Sequence, residues 1–337
     1  MYYSQEELQM KNDKLPLVSI ITPVYNRADL VGETIESILS QDYQKIEHIL
    51  IDDGSTDQSL KVIQKYKSRN HSRKKIIIKH HRNMGEARTV NKGFKIAKGA
   101  IIGVVNSDDP LLAGAISQIV KFMLAHPKII VVYPDWVTID DDGKKTGIIR
   151  TANYSYLDML RGHHCIPGPG AFFRREVAEK LNGRDPQFRY VGDYDFWLRA
   201  GRIGPFARIP KLLATFRVHK GAVTVKDVGV AMSKEHLELF KKVYSQPKIT
   251  DGMLKIKNEA LSSAYYTAAA AMGNANPALR KRYFIKAFLL YPVKYFGEYR
   301  LRLLIILSVV FFGSYILMQF FNSSTKLLKK ILGRKNA

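Results

Sequence analysis

Three short segments rich in Ile, Val and Leu, at residues 17–22, 46–51 and 100–105, each end in a polar cluster: Thr22-Pro-Val-Tyr-Asn-Arg27, Asp52-Asp-Gly-Ser-Thr-Asp57 and Asn106-Ser-Asp-Asp109. The runs are rich in β-branched residues and read as buried strands. Helical spacing follows the first two, with Leu30, Ile35, Ile38 and Leu39 inside 29–41, then Leu60, Val62, Ile63 and Tyr66. A strand over 75–79, helices over 85–98 and 113–125, and a strand over 129–133 continue the alternation. This rhythm predicts an α/β fold, a mainly parallel sheet flanked by helices. Ligands of such sheets sit outside the carboxyl ends of the strands, where all three clusters fall. The chain is therefore expected to carry one site built from the three.

After residue 133 the rhythm changes. A hairpin is expected over 136–149 around Asp141-Asp-Gly143, and a strand over 168–173. A helix is expected to start within Asp193-Tyr-Asp-Phe-Trp-Leu-Arg199, and a strand over 213–218 ends at His219. From about residue 228 the pattern is helical, with Gly273 as a C-cap and Pro277 opening a further helix. The expected division is a polar leader (1–15), an α/β domain (16–225), a helical extension (226–299) and an apolar, basic segment (300–337). The leader has no apolar stretch of the kind a secretory signal needs.

Each cluster has an ordinary reading beside a chemical one. Asp52-Asp53 can accept hydrogen bonds from a base and a ribose, or merely lead a turn into a cap at Ser55 or Thr56. Asp108 and Asp109 can hold Mg²⁺ or Mn²⁺ with diphosphate oxygens, or cap the helix after Pro110. Asn83-Met-Gly-Glu-Ala-Arg88 opens a helix, a setting that suits an anion; otherwise it is a solvated basic face. Asp193 can serve as a general base or as an N-cap. Phe196 and Trp197 read as core. His163-His-Cys165 is discounted as a metal site, because adjacent side chains rarely reach one ion.

Together, in this order, these segments resemble the family 2 glycosyltransferases of the GT-A fold. Val18-Ser-Ile-Ile-Thr-Pro-Val-Tyr-Asn-Arg27 is similar to the family's opening strand and loop, and Ile51-Asp-Asp-Gly-Ser-Thr-Asp57 to its nucleotide segment. Asn83, Gly85 and Arg88 with Asn91-Lys-Gly93 match the next pattern, and Asn106-Ser-Asp-Asp109 falls where the metal-binding Asp-x-Asp lies. Gly168-Pro-Gly-Ala-Phe-Phe-Arg174 resembles the acceptor side. Asp193-Tyr-Asp-Phe-Trp-Leu-Arg199 resembles the segment with the catalytic base. The likeness covers about residues 17–220.

The resemblance implies an inverting, non-processive transferase using a nucleoside-diphosphate sugar, of UDP type, and Mn²⁺ or Mg²⁺. It implies that Pro23, Tyr25, Arg27, Asp52, Asp53, Asn83, Gly85, Arg88 and Ser107 bind the nucleotide. It further implies that Asp108 and His219 meet the metal and that Asp193 is the base. The chain departs from the pattern at two places. Asn106 replaces the first acid of Asp-x-Asp, and Gly192 stands where a Glu often precedes the catalytic Asp. The Arg-Trp signature of processive members is missing, since neither Trp136 nor Trp197 follows an Arg.

Charge adds a partner. The chain of 337 residues carries a formal +23, and the stretch from Arg280 to Ala337 holds twelve Lys/Arg against Glu298. That end also contains an uncharged run over 303–321, which as a helix would reach about 28 Å against a bilayer core of about 30 Å. Residues 324–332 put Leu327, Leu328, Ile331 and Leu332 on one face and Lys326, Lys329 and Lys330 towards the other, the pattern of an interfacial helix. Attachment to the cytoplasmic face of a membrane is expected, with a glycan or lipid-linked acceptor and no nucleic acid. Cys165 is the only cysteine, so no disulfide can form within one chain.

Two other classes compete. A sugar-1-phosphate nucleotidyltransferase would want a Gly-rich loop after the first strand, and Thr22-Pro-Val-Tyr-Asn-Arg27 has no Gly. A catalytically weak transferase-like scaffold binding nucleotide or anionic lipid is the non-enzyme alternative.

Overall fold

A computed structural model describes residues 15–68, 74–219 and 229–292. The first strand, β1 (Val18–Val24), is buried along its length except at Pro23, as a β-branched run flanked on both edges and both faces should be. Next, α1 (Val31–Leu39) buries Val31, Thr34, Ile35 and Ile38, one stripe at helical spacing. Then come β2 (Ile46–Asp52), α2 (Ser59–Ser68), β3 (Lys75–His80), α3 (Glu86–Ile96), β4 (Ile101–Val104) and α4 (Ala115–Ala125). The second half holds β5 (Val131–Ile139), β6 (Lys145–Ile149), α5 (Tyr156–Gly162), β7 (Phe172–Arg174), α6 (Arg175–Leu181), α7 (Gly192–Ala200) and β8 (Phe206–Arg217).

One mixed sheet results, in the order β3-β2-β1-β4-β7-β5-β6, with β8 pairing β5. The β3, β2, β1 and β4 strands are parallel, while β7 runs antiparallel to both β4 and β5. Register places Val24 opposite Asp52, and Ile21 opposite Val104. The loops after β1, β2 and β4 therefore leave the same edge. Helices cover both faces. Ile20 shares a core cluster with Ile116, Ile119 and Met123 of α4. On the other face α3 lies so close that a Cβ on Gly93 would be 2.5 Å from Ile21 Cγ2.

The hairpin falls where expected, its turn closed by Gly143 N–H to the Asp140 carbonyl (3.1 Å). Three boundaries differ from the sequence reading. β5 runs on to Ile139, because its far half pairs with β6 and β8. β8 starts at Phe206, ahead of the apolar run over 213–218, with polar Arg208 and Lys211 inside a strand that pairs with β5 across register shifts. Of the strand expected over 168–173, only Phe172–Arg174 forms. The glycines before it serve close approach instead: a Cβ on Gly168 would lie 2.6 Å from Trp136, and one on Gly170 2.6 Å from Ala214 Cβ.

A second compact unit begins at Gly229. It contains α8 (Gly229–Tyr244), α9 (Asp251–Lys255), α10 (Lys257–Ala271) and α11 (Pro277–Leu290). Phe240 packs with Ala260 and Ala264, a four-residue spacing that presents one small-residue face. Asn276 caps α11 by accepting the Leu279 N–H at 2.9 Å, with Pro277 in the first turn. No described helix is long and apolar enough to cross a membrane. The 303–321 and 324–332 segments lie outside the described residues.

Candidate active site

The loop after β1 is built onto the loop after β2. Asn26 takes a left-handed conformation (φ 51°), which lets its Oδ1 accept the Thr56 N–H at 2.8 Å while its own N–H donates to Ser55 Oγ at 3.0 Å. Arg27 N–H donates to Ser59 Oγ (2.7 Å) and Ala28 N–H to Asp57 Oδ2 (3.1 Å). Asp57 Oδ1 in turn accepts the Ser59 N–H at the start of α2. Pro23 is partly buried in this frame, and Tyr25 is exposed.

The two acids after β2 are used differently. Asp52 is fully buried; its Oδ2 lies 2.7 Å from His80 Nδ1 and accepts the Ser55 N–H at 3.2 Å. Its Oδ1 is buried without a hydrogen-bond partner among the described residues. Asp53 gives one oxygen to the Met84 N–H (2.8 Å) and the other to the Gly85 N–H (3.0 Å). Both are thus spent on holding the loop that carries Asn83, and Gly85 there has φ 88°. Gly54 makes this possible, since a Cβ on it would lie 2.5 Å from the Asn83 nitrogen. Asn83 and Arg88 are exposed beside this loop. Asn91 in α3 clamps Arg184, accepting its N–H and donating to its carbonyl, each at 2.7 Å.

The loop after β4 meets the first loop. Arg27 Nε donates to Asp108 Oδ2 at 3.1 Å, and His219 Nε2 lies 3.0 Å from the same oxygen. Both of these contacts fall on Oδ2, and the Asp108 side chain keeps 15 % of its surface exposed. Ser107 is buried next to it. Asp109 points inward, taking the Arg217 N–H (2.8 Å) and Asn106 Nδ2 (3.0 Å). Burial, and then the charge of Asp108, push the Asp109 carboxyl well above the usual range, against the pull of those two bonds.

Asp193 sits in the first turn of α7 with its surface open to solvent. Protein beside its carboxyl raises its pKa in the first place; Arg184 lowers it and Glu86 raises it. Glu86 begins α3, directly after Gly85, and pairs with Arg184 at 2.6 Å. Asp193 therefore feels charges at the edge that Asp53 organises. Phe196 and Trp197 are core, packed on Phe173. Asp195 pairs with Arg199 at 2.8 Å. His163 contacts Tyr194 edge-on, and Cys165 Sγ donates to the Pro167 carbonyl.

Among the described residues no three His, Cys, Asp or Glu side chains gather to cage a metal. Asp108, with His219 3.0 Å from its Oδ2, and the exposed Asn106 two residues before it are the residues that could hold one. That suits a hard cation that takes one or two carboxylates and completes its shell with phosphate oxygens and water.

Comparison with known proteins matches the first part of this stretch. The family model "Glycosyl transferase family 2" fits residues 19–181. A UDP-Glc:alpha-D-GlcNAc-diphosphoundecaprenol beta-1,3-glucosyltransferase of Escherichia coli, WfaP, is 33% identical over 214 residues, covering 62% of this chain and 80% of the relative. The chain belongs to glycosyltransferase family 2.

One further relative is matched over a smaller share of its own length. The hyaluronan synthase of Pasteurella multocida is 27% identical over 246 residues, which is 71% of this chain and 24% of the synthase. In structure, the mannosyltransferase PcManGT of Pyrobaculum calidifontis, solved with GDP-Man and Mn²⁺, aligns with TM-score 0.58 at 19% identity, over 86% of this chain and 82% of that one. That likeness shows the GT-A fold. Within this family member, four residues of the edge went unassigned in the sequence reading: Glu33, Glu86, Arg184 and Arg217. Arg217 carried a faint signal, two residues before His219; the others are polar residues of ordinary helix and loop segments.

Proposed function

We propose that this glycosyltransferase moves one sugar from a nucleoside-diphosphate sugar of UDP type to an acceptor hydroxyl, with inversion. The reading rests on one observation: Asp108, shared by Arg27 and His219, lies at the same sheet edge as the loop next to Asp193. In this reading Pro23, Tyr25, Arg27, Asn83, Gly85, Arg88 and Ser107 surround the nucleotide. Asp52 and Asp53 lie beneath the base and ribose, and Asp53 shapes the loop through the Met84 and Gly85 amides. A bound Mn²⁺ or Mg²⁺ supplies charge neutralisation for the departing diphosphate. Asp108 would hold it, with Asn106 and His219 beside it.

Asp193 accepts the proton of the acceptor hydroxyl as its oxygen bonds to the anomeric carbon from the far side. The bond from that carbon to the diphosphate breaks, and the diphosphate leaves with the electron pair. Arg27 faces the charge that develops there. A carboxylate with a raised pKa is the stronger base, and a hydroxyl needs one at neutral pH.

The relative acting on a diphosphoundecaprenol-linked sugar supports a lipid-linked or glycan acceptor, in glycan, polysaccharide or glycolipid assembly. The basic, apolar C-terminal sequence supports work at the cytoplasmic face of a membrane. The deciding experiment incubates the full chain with a panel of UDP- and GDP-sugars, with Mn²⁺ or with a chelator. Cation-dependent release of UDP from one of them is expected; no release from any, with any acceptor fraction, overturns the proposal.

A further inference from the structure

We infer that Arg217 is a positioning residue: it sets the main chain of the 106–109 loop so that the Asp108 carboxylate is presented to a divalent cation and a nucleoside diphosphate. The inference rests on the donor reading above and deepens it. Arg217 ends β8, and its side chain is 1 % exposed. Its N–H donates to Asp109 Oδ1 at 2.8 Å, and its Nε donates to the Asp108 carbonyl at 3.1 Å. Nη1 reaches the carbonyls of Asp140 (2.8 Å) and Asp141 (3.0 Å) in the β5–β6 turn, and Nη2 donates to the Glu33 carboxylate of α1.

One guanidinium thus ties the loop after β4 to the hairpin turn and to α1. Burying such a charge is costly, and apolar side chains of the same volume often serve stability as well or better. What an apolar side chain cannot do is hold three carbonyls and a carboxylate at fixed angles, which the planar fork does. The Asp108 main chain is gripped from this side, while its carboxylate meets Arg27 and His219. Lysine, with a single terminal nitrogen, can keep only part of that grip.

The test compares full-length wild type with Arg217→Lys, checked for folding by circular dichroism, and measures UDP binding calorimetrically with and without Mn²⁺. Wild type should bind UDP more tightly with Mn²⁺. In Arg217→Lys that Mn²⁺ gain should shrink by about tenfold or more, while Mn²⁺-free UDP binding stays within about twofold. If Arg217→Lys does not fold, Glu33→Gln, at a half-exposed position, carries the test with an expected loss of about threefold in the Mn²⁺ gain. A folded variant with the full Mn²⁺ gain overturns the role of Arg217 and leaves the donor reading intact. A wild type without any Mn²⁺ gain overturns both.

Discussion

Arg27 and Asp108 are 81 residues apart in the chain, and Arg27 Nε donates to Asp108 Oδ2 at 3.1 Å. With His219 on the same oxygen, two basic side chains converge on one acid at the edge of the sheet. A diphosphate with its cation would engage all three groups: Asp108 by the metal, Arg27 by the phosphates, His219 between them.

Asp108→Asn keeps the side chain's shape and removes its charge. Turnover should fall by at least about 10²-fold, since the charge that neutralises the leaving group through the cation is lost. UDP binding measured without metal should hold or tighten, because Arg27 then faces a neutral acceptor in place of a carboxylate. Weaker metal-free binding would mean that Arg27 belongs to the fold instead of the phosphates.

Asp193→Asn should cut kcat by about 10²–10⁴-fold and leave UDP binding in place. The pKa of Asp193 is raised, so the wild-type rate should fall as pH drops through a value above that of an ordinary aspartate. Below that point the carboxyl is protonated and cannot take the acceptor's proton. The acidic limb should vanish from the residual rate of the variant; a limb that persists assigns it to another group.

His48 is fully buried in β2 beside Thr22, and burial lowers its pKa to about 3. Unfolded histidine titrates near 6.5, so between these values the unfolded chain binds the proton and the folded chain does not. Stability is therefore lost as pH falls below about 6.5, by about 2 kcal/mol at pH 5. His48→Gln retains a partner for Thr22 Oγ1 and cannot titrate. Thermal melts of this variant between pH 5 and 7 should show a flatter dependence than wild type; parallel curves would refute the assignment.

The C-terminal sequence should tether the protein. Each Lys or Arg near an anionic surface adds about 1 kcal/mol, on top of burial of the apolar run. Full-length protein should pellet with membranes, and protein lacking residues 300–337 should move to the supernatant. Equal pelleting of both would place the attachment elsewhere.

Much of this architecture is legible in local pattern. The strand at 46–52 announces itself by Ile46, Ile49, Leu50 and Ile51 and by the acidic pair at its end. Asp108, Asp193 and His219 are picked out by their place after strands or at a helix start. The family resemblance gave these positions a shared purpose. Less visible were β8, with its polar Arg208 and Lys211 ahead of the apolar stretch, and the short strand at Phe172–Arg174. Their strand character comes from pairing with neighbours, which a period-two pattern does not reveal.

Hydrophobic period and strand ends are local properties, so the chain alone announced an α/β sheet with acids at its carboxyl edge. How each acid is bonded depends on packing. Asp53 looks like its neighbour Asp52 in sequence, yet one is spent on the Met84 and Gly85 amides while the other keeps a bare oxygen. Arg217 looks like one more basic residue, yet it is buried and grips three segments. These outcomes depend on the order β3-β2-β1-β4 and on which loops that order brings side by side, and contacts between distant segments leave no period in the chain for a reader to find.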